Sequence, residues 1–277
     1  MRLRFSWLSL ALLAWCGALS SPALGASAFR VSDLDFRDPH FLVEILPTIC
    51  GEVTGTVNDE LQAAITTDTD SDGLLDLSLL IIFDTLDPTA PAGTLTLEEA
   101  ICSAPMLGTN CGPDPLVVPV LVAYQNQPAG TCLAPLPGTT RPYVPAVTTP
   151  GSPCFVTDET DVSLEFLDIS LPLTKVRVAG TYVGDPPTAI IDGLMRGFVS
   201  ESVASGIFFP PSVPIVGGQP LAAVLPGGSG NCAGYSDMDT DGSTPGWWFY
   251  FNFTADAVPY TLPVEANTWG AIKALYR

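Results

Sequence analysis

The chain has 277 residues, with 10 Lys and Arg against 29 Asp and Glu and a formal net charge of -19. Hydrophobic residues at 47% exclude intrinsic disorder, and 27 Pro with 25 Gly exclude a coiled coil or long helical bundle. Nothing supplies a basic face to neutralise phosphates, so no nucleic-acid partner is expected.

Residues 1–28 read as an address. Arg2 and Arg4 precede an apolar stretch from Phe5 to Leu19, and Ala26-Ser27-Ala28 sets small residues before a cleavage point at Phe29. This is the pattern of a secretory signal peptide, leaving 29–277 as a single β-rich domain. The apolar stretch falls short of the roughly 20 residues of a membrane span, and no later run is long enough to cross. The expected location is secreted, or periplasmic and cell-envelope. Lipoprotein anchoring at Cys16 is the alternative, although bulky Trp15 stands where such signals carry a small residue.

Period-two alternation predicts a strand at Phe41–Leu46, with Phe41, Val43 and Ile45 on one face. Asn58 is placed to cap a short helix over Asp59–Ile65. An acidic loop follows, then an almost wholly apolar strand within Leu74–Phe83. Thr96-Leu97-Glu98-Glu99 has the form of a capping box ahead of Ala100–Cys102. Residues 103–153 are rich in Pro, Gly and Thr and read as disulfide-pinned surface loops of the same domain. Leu116–Tyr124 within them reads as a strand that Pro119 demotes to an edge or bulge.

Alternation returns at Val162–Phe166 and at Val176, Val178 and Tyr182. Ile191, Leu194, Met195, Phe198, Val199 and Val203 follow helical spacing, predicting one packing helix near 188–204 that Gly193 and Gly197 weaken. Residues 210–230 are a second Pro/Gly-rich loop. Trp247–Thr254 alternates most clearly, with Trp247, Phe249, Phe251 and Phe253 on one face. The expected fold is mainly β: a single β-sandwich-like domain, jelly-roll or related, with long Pro/Gly-rich loops.

With Cys16 set aside, Cys50, Cys102, Cys111, Cys132, Cys154 and Cys232 form an even set of six, as an oxidising compartment would favour. Close spacing favours Cys102–Cys111 and Cys132–Cys154, leaving Cys50–Cys232. No C-x-x-C exists and His40 is the only histidine, so zinc and thioredoxin-type chemistry lack ligands.

The segment Asp68-Thr69-Asp70-Ser71-Asp72-Gly73-Leu74-Leu75-Asp76 reads D-x-D-x-D-G-x-x-D. Alternating carboxylates can converge when the chain curls at the glycine, and a hard oxygen cage suits Ca²⁺. These nine residues resemble the calcium loops of dockerins, thrombospondin type 3 repeats and EF-hands. With a strand following, they are most similar to the FG-GAP loops of integrin-like propellers. The resemblance implies side-chain ligation by Asp68, Asp70, Asp72 and Asp76 and a carbonyl from Leu74. Leu79 stands where an EF-hand carries Glu. A second cluster, Asp237, Asp239 and Asp241 before Gly242, repeats the first half, but Pro245 occupies the ninth position.

The enzyme motifs are missing. There is no G-x-S-x-G elbow, H-E-x-x-H, Walker A or G-x-G-x-x-G. His40, after Asp38-Pro39, reads as part of an exposed turn. A glycosidase needs only two carboxylates, and Glu165, Asp168, Asp192 and Glu201 are its candidates. Trp247, Trp248 and Tyr250 could stack on sugar but fit a core better, and Asn252-Phe253-Thr254 is a glycosylation sequon. The functional expectation is a calcium-stabilised domain with a structural, adhesion or ligand-binding role and a carbohydrate, protein or cell-surface partner. An extracellular carbohydrate-active hydrolase is the first rival. A binder of lipid or another hydrophobic ligand is the second, and a deep apolar cavity would mark it.

Overall fold

The computed structural model describes residues 27–261, apart from 47–48, 167–168, 212, 214, 231 and 233–236. Residues 1–26 of the signal segment therefore lie outside the described residues. Ser27 and Ala28 open the first strand. In chain order the elements are β1 (Ser27–Asp38), β2 (Leu42–Leu46), β3 (Ile49–Glu52), α1 (Thr54–Thr66), β4 (Leu79–Phe83), β5 (Ala92–Cys102), β6 (Cys111–Pro113), β7 (Val120–Gln127), β8 (Cys154–Thr157) and β9 (Thr160–Phe166). They continue with β10 (Ile169–Gly184), β11 (Pro187–Ser200), α2 (Glu201–Ala204), α3 (Leu221–Val224), β12 (Asp239–Asp241) and β13 (Thr244–Val258).

The fold is mainly β, with one large antiparallel sheet and the small β2–β3 sheet. The large sheet runs β1-β4-β5-β7-β8-β10-β11-β13, and β13 pairs with β1 again. Its two halves thus face each other across the core and join at both sides, which removes most free edges. Within the expected class, each ring strand pairs with the next in sequence, where a jelly roll would cross over. Period two holds around the ring. Phe29, Ile81, Phe83, Leu95, Tyr124, Phe155, Val178, Phe249 and Phe251 share the inner core.

The outer face is also covered. Leu133 packs on Val156, Leu194, Phe198, Trp248 and Tyr250. Tyr250 Oη accepts from Leu136 N at 3.0 Å, and Asn252 exchanges two hydrogen bonds of 2.8 Å with the backbone of Thr148. The Pro/Gly-rich stretch is therefore cladding on the same domain. The disulfides Cys50–Cys232, Cys102–Cys111 and Cys132–Cys154 all form.

Several expectations need correction. The packing helix near 188–204 is strand β11, hydrogen-bonded to β10 and β13; only its last turn is helical, as α2, capped by Ser200. Core on one side and cladding on the other bury every residue from Gly193 to Val199, so alternation is hidden. A side chain at Gly193 would meet the Phe253 ring at 2.6 Å, so that glycine serves close cross-strand packing. The capping box at Thr96–Glu99 lies inside β5. The β2 face predicted to be buried breaks at Ile45, which is exposed.

Helix α1 starts earlier than expected, and Asn58 sits inside it. β1 pairs with β4 only over Ser27–Arg30, after which the strands splay. There Asn58 accepts from Phe36 N (2.8 Å) and donates to Phe36 O (3.1 Å). One turn on, Gln62 accepts from Leu34 N (3.3 Å) and donates to Ser32 O (3.1 Å). The helix thereby stands in for a strand along the free edge of β1.

Candidate functional site

Where the ring strands splay, the inside is not filled. A cavity of about 500 Å³ is lined by Val31, Leu34, Leu79, Ile81, Leu97, Val120, Val178, Met195 and Phe253 from the ring, with Val162 and Leu164 from β9. Further along the same strands the interior is plugged by aromatics. Phe83 meets Tyr124, Phe155 and Tyr182 with ring centroids 5.1, 5.2 and 6.0 Å apart. The cavity is thus a one-ended apolar pocket of the size that takes a small organic molecule. Leu116 and Val118, 90% and 84% exposed, stand at its mouth beside the β9–β10 hairpin.

Each apolar cavity residue reads as ordinary core in sequence. The one available signal was the alternation Leu95, Leu97, Glu99. β5 sets these opposite Phe83, Ile81 and Leu79, so Glu99 points the same way as the apolar wall. Burial pushes its carboxyl up, helped by the charges of Glu165 and Asp114. Glu98 faces outward, where Tyr260 Oη donates to it at 2.7 Å.

The first acidic loop closes on itself. Oxygens of Asp68, Asp70 and Asp76 lie within 4.8 Å of one another. Asp68 accepts from Asp72 N (3.1 Å) and Gly73 N (2.9 Å), and Asp76 accepts from Thr69 N (3.0 Å). Ser71 and Gly73 take positive φ, +63° and +90°, which curls the carboxylates inward. Asp72 is not among the three converging carboxylates; it accepts from Leu74 N at 2.8 Å. Leu74 itself bridges to Ser103, pinning the loop to the end of β5. Buried Arg30 donates to the carbonyls of Ile65 and Leu77, tying both flanks of the loop to β1.

The second cluster does not converge in the same way. Asp239–Asp241 is strand β12, turned into β13 by Gly242 at φ +60°. Asp241 pairs with Lys175 at 2.6 Å and Asp237 with Arg141 Nε at 2.8 Å. Asp237 and Asp38 are each 1% exposed and lie close enough for each to act on the other's charge. Arg141 N donates to Asp38 at 2.9 Å and Tyr143 Oη to Asp237 at 3.0 Å. Burial above all, then the nearby Asp237 and Asp239, push the Asp38 carboxyl up to about 8 against the pull of the Arg141 amide. Burial likewise raises Asp239, to about 6. His40 is not in an exposed turn: it is buried, stacks on Tyr143 with centroids 3.5 Å apart, and lies 2.8 Å from Glu52. Burial holds its imidazole below the usual range.

The carboxylates considered for hydrolysis are scattered. Glu165 on β9 accepts from Ser163 and from Ser170 of β10, Asp192 is exposed on β11, Glu201 opens α2, and Asp168 lies outside the described residues. Trp247, Trp248 and Tyr250 are buried and offer no stacking platform. The sequon residue Asn252 is buried too, its amide used by Thr148 and Gly193. No helix among the described residues is long and apolar enough to cross a membrane. Compared with known proteins, the chain matches no protein-family model, no curated protein and no solved structure.

Proposed function

We propose that the chain is an exported protein that binds an apolar small molecule inside its closed β sheet. The apolar cavity of about 500 Å³ carries this reading. Three disulfides and the leading basic-then-apolar segment support export. The rival hydrolase would need aromatics exposed beside paired carboxylates, and those aromatics are buried. Met195→Trp puts an indole into the cavity. It should weaken binding of the neutral probe N-phenyl-1-naphthylamine more than tenfold while leaving the circular dichroism spectrum unchanged. Equal probe binding by the folded variant, or no saturable binding by the parent, would sink the reading.

Calcium is proposed as a structural ion at Asp68, Asp70 and Asp76, favoured by the convergence of their oxygens. The ion would neutralise three crowded carboxylates and fix the link between α1 and β4. Extracellular sites of this kind have Kd near 10⁻⁴–10⁻³ M, and calcium at about 100-fold above Kd adds about 2.7 kcal/mol. Melting temperature should rise with calcium and fall with chelator. Asp70→Ala/Asp76→Ala should lose that shift, while Asp239→Ala should keep it. A melting temperature indifferent to calcium would refute the site.

A further inference from the structure

We infer that the cavity takes a cationic amphiphile: an apolar body with a protonated amine seated against Glu99. This rests on the cavity reading above and adds the chemistry of the head group. The wall is hydrocarbon apart from Glu98, Glu99, Ser163 and Glu165, and of these β5 turns Glu99 the same way as Leu95 and Leu97, opposite Leu79. Two further carboxylates stand close enough to act on it, Glu165 from the β9–β10 hairpin and Asp114 from the turn that carries Leu116. The lining includes no Lys, Arg or His. No donor among the described residues hydrogen-bonds the Glu99 carboxylate, whereas Glu98 has Tyr260 and Glu165 has Ser163 and Ser170.

A bound ammonium would donate to Glu99 and relieve the repulsion among the three acids. A carboxylate head would meet that repulsion in a partly dry site. An alcohol would bind through its tail alone, with at most a neutral hydrogen bond.

Dodecylamine, dodecanol and dodecanoate share one tail and test the head. Calorimetric titration of each into the full exported chain, at neutral pH, 0.15 M salt and below the critical micelle concentration, should rank amine over alcohol over carboxylate. The amine should lead the alcohol by roughly ten- to a hundredfold, the range of a hydrogen bond to a charged group. Glu99→Gln should remove that lead and leave the alcohol within about twofold of its parent value. The acidic chain could also collect amines on its surface, so Met195→Trp must abolish amine binding. Amine binding that survives this substitution, equal affinity of amine and alcohol, or a preference for dodecanoate would each overturn the cationic head. Failure of all three compounds to bind would overturn the cavity reading instead.

Discussion

Cys50→Ser/Cys232→Ser should lower the stability of the folded chain by about 5 kcal/mol, the largest loss from any of the three bridges. The bridge spans 182 residues and ties β3 to the segment before β12. Cutting it opens a loop of about two thirds of the chain in the unfolded state. Loop-closure entropy grows with the logarithm of loop length, so the bridges spanning 9 and 22 residues should each cost about 3 kcal/mol when removed. Against a typical total of about 5–15 kcal/mol, the long bridge alone could decide whether the domain folds at 37 °C. Urea unfolding of the three paired-serine variants measures this. The Cys50/Cys232 variant should have the lowest midpoint and a steeper slope, because its unfolded chain exposes more surface. A midpoint no lower than that of Cys102→Ser/Cys111→Ser would show that loop length does not set the order.

Legibility in the sequence tracked whether an element has one apolar face or two, and whether its partners are near or far in the chain. β13 was readable because its odd-numbered residues enter the core as a run of aromatics. β11 was not, because cladding hides its second face and the buried run from Gly193 to Val199 satisfies helical spacing equally well. Asn58 carries the chemistry of a helix cap but spends it on β1, and no local rule distinguishes the two uses. The disulfides followed from spacing alone. Of the first acidic loop, Asp68, Asp70 and Asp76 bring oxygens together, and backbone amides of the loop bond to all four carboxylates. The cavity left one local mark, Glu99 continuing the alternation of Leu95 and Leu97, because an unfilled interior otherwise depends on how far β1 and β4 splay. The Asp38–Asp237 pair was also out of reach. Its members lie far apart in sequence, and Arg141, which touches both, follows Asp38 by 103 residues.

That buried pair should make the protein less stable as pH rises from about 6.5 to 9. Asp38 faces Asp237, Asp239 and the Arg141 amide, with His40 and Tyr143 packed beside them. Its folded-state carboxyl sits at about 8, well above an ordinary Asp. The sign follows from proton counting. Between about 4 and 8 the folded chain keeps a proton that the unfolded chain has lost, so stability falls with pH across that window. His40, held below its usual range, works the other way, but only below about pH 6.5. Asp239, at about 6, has mostly titrated by then. Burial raises the Asp237 carboxyl too, in the same sense, so from pH 6.5 upward the pair carries the slope. The 1.5 pH units to the Asp38 midpoint correspond to about 2 kcal/mol, or roughly 4–8 °C in melting temperature. Asp38→Asn keeps an acceptor for the Arg141 amide and replaces a carboxyl that must ionise with a neutral amide beside Asp237. The variant should melt nearly independently of pH over this range and exceed the parent at pH 9. Asp237→Asn should instead destabilise at every pH, because it removes the carboxyl oxygens that Arg141 and Tyr143 both address. Melts at constant ionic strength decide the matter. If Asp38→Asn declined between pH 6.5 and 9 in parallel with the parent, the proton would have to reside elsewhere.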